Sequence, residues 1–497
     1  MESTRISPGP PRVGRPPVWA SGDPPLSPVL ERWMVDLASA PERAFALVEE
    51  FGSPLHLHRA DVFARNVRHM TEAVRGLGTD VRLFFARKAN KAFGYLNVCR
   101  EAGVGVDVAS LQELEESLVA GIPPHRIVLS AAVKPEDLLR RAVDAGVTVV
   151  LDNEDEGRRL AEFGQGDGRI VRVALRVSDF GGGERRRGSR FGFAVGETLQ
   201  AAGRVVGQEG KPGLSLVGLH FHLDGYGAQD RVDALGQTLN LVDSLRAEGH
   251  PVEFIDMGGG FPVAYLERLH EWETFLNELD RALLGARSPV TWGNEGFGRL
   301  RHGDDLAGQA AVYPHFQSPT GSDWLHEILT SALDGAPGTT VASALRQRGL
   351  RLHAEPGRAL LDGCGLTLAR VEHTKVIPGG LTLVGLSMNG SNCRTKKSEL
   401  LVDPLVVQRR RGPLSGDQEA ALPIRGVLTG AYCTESDVIM SRILALPPGL
   451  GHGDLFLFPN TAGYYMHFVE SRSHQFPLPL NVWSGVGGQL ALDEADL

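Results

Sequence analysis

From about residue 54, short β-branched and aromatic runs alternate with longer stretches of helical period, and the runs count to eight. They are Val81–Lys88, Gly103–Ser110, Arg126–Ala132, Val147–Asp152, Val171–Val177, Leu216–Leu223, Glu253–Gly260 and Leu350–Gly357. Strands joined by helical crossovers must run parallel, and a parallel sheet has to be covered on both faces. Eight of them predict a (β/α)8 barrel of the α/β class rather than an open sheet. The intervening segments suit helices: Leu111–Ala120 follows a capping Ser110, and Lys134–Ala145 carries Pro135 in its first turn. After Gly365 the period changes. Apolar runs at Leu366–Val371, Lys375–Ile377 and Leu381–Leu386, separated by Gly, Pro and Asn, predict a mostly antiparallel β domain.

The expected division is a disordered or arm-like tail over 1–27, a segment over 28–53 that joins the β domain, a barrel over 54–362, and the β domain over 363–497. One connection is oversized. Residues 261–349, roughly 90 in all, link the seventh strand to the eighth, against the short loops and single helix of an ordinary crossover. Helices are expected there at Tyr265–Leu284, Asp323–Leu333 and Thr340–Arg348, with Gly349 as a stop. The connection leaves the catalytic face of a barrel, so it reads as a lid or substrate wall, or else as surface decoration.

Composition excludes several classes of function. There are 51 Lys and Arg against 60 Asp and Glu, a formal charge of −9, which offers no basic surplus for a nucleic-acid backbone. No window approaches the roughly 18 apolar residues of a membrane span. Cys99, Cys364, Cys393 and Cys433 form no CxxC pair, so neither a zinc site nor a disulfide framework is expected, and a reducing cytoplasm fits. Glycine is the unusual residue, at 61 of 497 against a typical ~7%.

Active sites of such barrels sit at the C-terminal ends of the strands. Lys88 ends the first strand, and a lysine in a desolvated barrel mouth is a Schiff-base former. Arg87 alternates outward toward the helices. His220 and His222 share one face of the sixth strand. A metal pair there lacks a third ligand nearby in sequence, so a stacking or core histidine is preferred and no metal is expected. Gly258, Gly259 and Gly260 end the seventh strand and can present bare N–H groups to an anion. Gly181–Gly183 with Glu184–Arg187 has a similar composition but reads as a charged loop. Glu355 and Arg358 close the eighth strand. A lysine, a stacking histidine, a glycine loop, a carboxylate and an arginine at one mouth suggest pyridoxal phosphate: Lys88 for its aldehyde, the glycines for its phosphate, Glu355 for its ring nitrogen.

Nine ordered pieces make the chain resemble the fold-type III pyridoxal-phosphate-dependent decarboxylases, which include the diaminopimelate, ornithine and arginine enzymes. They are FFARKANK around Lys88, GVGVDVASLQELEESLVAGIPPHRIVLS from Gly103, LRV at Leu175, SRFGF at Ser189, GLHFHL at Gly218, DMGGGFP at Asp256, HAEPGR at His353, CTESD at Cys433 and AGYY at Ala462. The likeness spans about residues 54 to 470 apart from the long connection. It implies an alanine-racemase-like barrel, with Lys88 as the lysine that holds the cofactor and His222 stacked on its ring. Glu355 would pair with the ring nitrogen, with Asp107 and Arg176 as pocket residues. Gly258, Gly259, Gly260, Arg358 and Tyr465 would hold the phosphate. Cys433 would come from a second subunit to assist protonation, in a homodimer with shared active sites.

The departures concern the substrate. Asp224-Gly225 stands where the family usually shows Gly-Ser, replacing a phosphate-side hydroxyl by an acid. The acid that commonly follows the cysteine is Thr434 here, with Glu435 displaced by one and Asp437 beyond it. Arg394-Thr395-Lys396-Lys397 replaces the Arg-Pro-x-Leu-Tyr element of the diaminopimelate enzymes. Arg394, Thr434, Glu435 and Asp437 are therefore the substrate-binding candidates, and the extra cations favour an acidic or carrier-linked group. The expected activity is decarboxylation of an amino acid or derivative, because alanine racemases of similar fold place an arginine, not a glutamate, on the ring nitrogen. A racemase, lyase or condensing enzyme on the same cofactor is the alternative, and a non-catalytic cofactor-binding homologue a further one.

Overall fold

The computed structural model describes residues 18–166, 168–181, 189–207, 213–395, 400–409, 423–485 and 489–496. All eight predicted strands form: β1 Val81–Ala86, β2 Gly105–Val108, β3 Ile127–Leu129, β4 Thr148–Leu151, β5 Val171–Ser178, β6 Leu214–Phe221, β7 Phe254–Asp256 and β8 Arg351–Ala354. Each pairs in parallel with the next from β1 to β5. The order then passes from β5 to β6, β7 and β8, and β8 returns to β1 through Leu352 opposite Val81, which closes the barrel.

Alternation along the strands sorts the interior into layers. Phe84, Val128, Val150, Ala174, Val217 and Phe254 form an apolar floor. His353 lies against Phe254, with ring centroids 4.2 Å apart and an interplanar angle of 12°, and also against Phe84. Two residues further on from Gly105, Ala174, Gly218, Phe254 and His353 stand Asp107, Arg176, His220, Asp256 and Glu355. The strand period thus lifts the polar residues as a set above a dry floor.

Contacts divide the chain into two units. The barrel unit comprises Phe63–Pro262 and Pro319–Leu360, and the other comprises Met1–Val62, Val263–Ser318 and Leu361–Leu497. The long connection is therefore split: 263–318 belongs to the second unit, whereas the helices Gly321–Thr330 and Val341–Gln347 belong to the barrel. Its first helix spans Leu269–Leu283 rather than beginning at Tyr265, because the backbone N–H groups of Tyr265 and Leu266 are bound to the His315 carbonyl instead of starting a turn. Likewise, Pro135 precedes the helix Glu136–Ala145 as its cap, and the buried Lys134 side chain is turned to Ala131 O and Glu156.

In the second unit, a largely antiparallel sheet carries Leu55–His58, Gly365–Val376, Leu405–Val407 and Leu455–Pro459. Gly365–Val376 is one continuous strand where the sequence suggested two, with its register shifting between Val371 and His373 as it changes partners. Helices Arg32–Ala38 and Pro41–Phe51 cover its apolar face through Met34, Leu47 and Val48 against Leu366, Leu405 and Leu457. Val18–Trp19 pairs with Leu405–Val406, and Ser21–Gly22 with Leu444–Ala445. The described part of the 1–27 tail is thus built into its own chain's sheets, and 1–17 lies outside the described residues.

Gly218 faces Phe254 across the ladder, and a β-carbon there would stand 2.3 Å from that ring. Gly218→Ala should therefore cost about 1–3 kcal/mol of stability by overpacking. Phe254→Leu in the same chain should recover part of the loss, as read from urea-unfolding midpoints; independent, additive losses would contradict this packing account.

Candidate active site

The first strand runs into a tight turn over Arg87–Ala89, which sends successive residues to opposite sides of the barrel wall. Arg87 goes outward, and its Nη2 donates to Glu116 at 2.8 Å, on the helix Leu111–Val119. Lys88 goes to the mouth, where Nζ donates to Asp107 Oδ2 at 2.8 Å. Its side chain is 32% exposed while that of Asp107 is 1% exposed, so the lysine remains within reach of a ligand and its anchor does not. Ser130 donates to the other Asp107 oxygen.

Glu355 lies beside them at the end of β8, with both its side chain and that of Asp107 buried. Burial pushes Asp107 upward from the ordinary carboxylate range and the charge of Glu355 adds to it, while Lys88 opposes both. Glu355 is likewise raised by burial. Asp256, also buried, is pushed well upward by burial and by Glu355, although the Gly258 N–H donates to its Oδ1 at 2.9 Å. Buried like charges this close disfavour one another's ionisation, which adds to the upward push of burial.

His220 Nε2 lies 3.3 Å from Glu355 Oε1, but burial lowers the imidazole pKa to about 3, so the ring is neutral. His222 projects further out. The Gly259 N–H donates to its Nδ1 at 3.2 Å, which assigns the ring proton to Nε2. Burial, followed by the charge of Lys88, holds this imidazole neutral too. Arg176 stacks on Phe191 at 4.2 Å and lies 3.6 Å from Asp152.

The glycine loop has steric reasons for its composition. Gly258 has φ +66°, and a β-carbon there would come 2.5 Å from Phe221 O and 2.8 Å from His222 Nδ1. At Gly259 one would stand 2.8 Å from the Glu355 carbonyl, and at Gly260, with φ +84°, 2.3 Å from Arg231 Nη2. Side chains are excluded, and bare backbone lines this edge of the mouth. Arg358 follows in the short helix Gly357–Leu360.

The other predicted residues belong to the second unit. Cys433, Thr434 and Glu435 are exposed, and Thr434 Oγ1 lies 2.6 Å from Ser436 Oγ. Asp437 is buried, accepting Gly390 N at 2.7 Å and Tyr432 N at 2.8 Å. Arg394 donates to the Val438 carbonyl, and its own N–H reaches Tyr465 O at 3.0 Å. Tyr465 is buried against Tyr265. Lys396 and Lys397, and Gly182 to Arg187, lie outside the described residues.

Sequence reasoning missed Asp256 and Arg231. Asp256 directly precedes the three glycines, a position that marks it as a strand-end acid. It completes a buried trio with His220 and Glu355 whose ligand-type atoms all lie within 4.8 Å. The fold therefore gives His220 two neighbouring carboxylates that the sequence did not show, and His222 is not part of that group.

Pyridoxal phosphate fits these residues. Glu355 Oε1 is buried with no hydrogen-bond partner among the described residues, an orphan acceptor in a dry mouth. A reachable lysine and a glycine edge free of side chains lie at the same rim.

The chain matches the model of the pyridoxal-dependent decarboxylases, pyridoxal binding domain, over residues 61–289. It is 30% identical to the protein y4yA of Sinorhizobium fredii, over 91% of this chain and 93% of the relative. It is 26% identical to a diaminopimelate decarboxylase of Pseudomonas aeruginosa, over 86% of each. Among solved structures, a diaminopimelate decarboxylase from M. jannaschii in complex with L-lysine superposes with a TM-score of 0.65 at 17% identity, over 90% of this chain and 91% of that one. An arginine decarboxylase of Paramecium bursaria Chlorella virus bound to agmatine gives 0.63 at 16%, over 90% of this chain and 100% of that one. These two likenesses are of fold.

Because His220 is neutral in the fold and ionises near 6.5 when unfolded, the unfolded chain gains a proton that the fold refuses as pH falls from about 6.5 toward 3. Its share of stability is complete above pH 6.5 and falls by about 1.4 kcal/mol per pH unit below it. His220→Gln should flatten the pH dependence of unfolding free energy between pH 6 and 4 by about that slope; parallel curves for the two proteins would contradict it.

Proposed function

The chain belongs to the family of pyridoxal-dependent decarboxylases, and from that premise we propose that it removes the α-carboxylate of an amino acid or amino-acid derivative with pyridoxal phosphate held at Lys88. The observation that carries this reading is the convergence of Lys88, Glu355 and the Gly258–Gly260 backbone on one barrel mouth. When bound, the cofactor supplies an electron sink that accepts the pair left behind when carbon dioxide departs.

The protein's own groups divide the remaining work. Lys88 Nζ would hold the cofactor at its aldehyde carbon, with water as the leaving group, which requires the amine to shed a proton. Asp107 Oδ2, 2.8 Å away and raised by burial, is the acceptor in place. Glu355 would keep the ring nitrogen protonated. His222, anchored by the Gly259 N–H, would flank the ring. Gly258, Gly259, Gly260, Arg358 and Tyr465 would hold the phosphate, and Arg176 would line the pocket. Cys433, from the second subunit of a homodimer, or Lys88 itself returns a proton to the α-carbon. Arg394, Thr434 and Glu435 would face the substrate's distal end in this scheme, with Asp437 fixing the loop that carries Thr434 and Glu435, and the working compartment is the cytoplasm.

The reading is tested by colour and by gas. Wild-type protein loaded with pyridoxal phosphate should absorb in the visible, and Lys88→Ala should abolish that band; a colourless wild type or an unchanged variant would overturn the cofactor assignment. Carbon dioxide should be released from a member of a panel of L- and D-amino acids and their N-acyl or acidic derivatives. A retained carboxylate with exchange of the α-hydrogen would assign a racemase instead. The trio of His220, Asp256 and Glu355 favours one competing reading, a divalent cation in the mouth. Activity lost to a chelator and restored by zinc, with no dependence on Lys88, would select it.

A further inference from the structure

The 222–227 loop after the sixth strand carries no serine or threonine, and its Asp224 brings a carboxylate to the rim assigned to a phosphate. Asp224 Oδ1 accepts the Gly225 N–H at 3.0 Å, so that donor is already taken. Behind the loop, on the helix Ala228–Ala247, sits Arg231, whose side chain is fully buried. Its Nη2 donates to Leu223 O at 3.0 Å and to Gly225 O at 2.8 Å, and lies against the α-carbon of Gly260. Nε and Nη1 are buried without a hydrogen-bond partner among the described residues. Trp324, on the helix Gly321–Thr330, lies 5.5 Å from the guanidinium and donates its indole N–H to Tyr226 O at 2.9 Å.

Three carbonyls of this loop, those of residues 223, 225 and 226, are thus drawn to one side. A trans peptide is planar with C=O and N–H antiparallel, so the N–H groups of Asp224, Tyr226 and Gly227 are turned to the other side. Successive N–H groups presented together form an anion nest. A guanidinium left with two unused donors, directly behind such a nest and behind Gly260, adds positive charge there, set against the carboxylates of Asp230 and Asp224.

We propose that Arg231, clamped with Trp324, is a positioning residue that organises the 222–227 loop, which lacks serine and threonine, into part of the phosphate site and offsets the charge of Asp224. The inference rests on the cofactor reading above. It also gives the barrel-side part of the long connection a task, because Trp324 comes from it.

The test compares pyridoxal phosphate with pyridoxal, which lacks only the phosphate, by titrating apoprotein and following absorbance of the bound form. In Arg231→Gln the preference for the phosphorylated compound should fall about 10–100-fold, with pyridoxal affinity unchanged within two-fold. Arg231→Lys, which keeps the charge but not the forked donor, should fall between. Should the Gln variant fail to fold, the Lys variant is read alone: a reduced preference at constant pyridoxal affinity supports the proposal. Equal losses for both compounds, or an unchanged preference, overturn it. A wild type that binds neither compound overturns the cofactor reading instead.

Discussion

Crowding of buried carboxylates at the barrel mouth is the constraint to which the rest of the site answers. Asp107, Asp256 and Glu355 share a dry cavity, and burial raises all three. Ionised carboxylates in such a place are tolerated only with cations or retained protons. Lys88 supplies one cation at 2.8 Å, and Arg176 lowers Glu355 from further away. The neutral imidazoles of His220 and His222 add none. The mouth is consequently crowded with carboxylates and short of positive charge. A ligand bringing a protonated ring nitrogen relieves that deficit, which gives the orphan oxygen of Glu355 a physical role beyond family likeness.

Closure of the barrel makes this crowding possible. Residues 88 and 355 are far apart in the chain, yet β1 and β8 are neighbours because the sheet has no edge. The apolar floor of Phe84, Val128, Val217 and Phe254 keeps water from entering below. Gly218 leaves room for Phe254 to turn inward and stack on His353. The glycine excess has a similar logic at the rim, where Gly258 and Gly259 allow the seventh and eighth strand ends to approach His222 and the Glu355 backbone.

What was legible in the sequence follows from this geometry. The eight strands could be counted because a parallel strand buried on both faces is a compact apolar run between helices. Lys88, Glu355 and the three glycines could be placed because strand ends are where such runs stop. Asp256 escaped because a single acid at the end of an apolar run reads as a turn residue. Arg231 lies in the first turns of a helix, where a cation ordinarily faces water, and nothing local announces that its guanidinium is buried under a loop. The 261–349 connection was recognisable as oversized, but no local pattern tells that its first part packs with the second unit and its last part with the barrel. Gly365–Val376 read as two strands because a mid-strand change of partner interrupts the apolar period.

The substrate side rests on a different balance. Asp437 has the charge to read a distal ammonium, but both its oxygens are engaged by the backbone N–H groups of Gly390 and Tyr432, so it pins two loops together. A carboxylate already accepting two hydrogen bonds, and buried doing so, has little left for a ligand. Glu435 is exposed, and an exposed carboxylate attracts an ammonium by only about 0–1 kcal/mol. Strong selection for a basic side chain through this loop would therefore need Glu435 to be buried in the working enzyme. Failing that, the acid shifted by one position leaves the loop a poor reader of a distal amine.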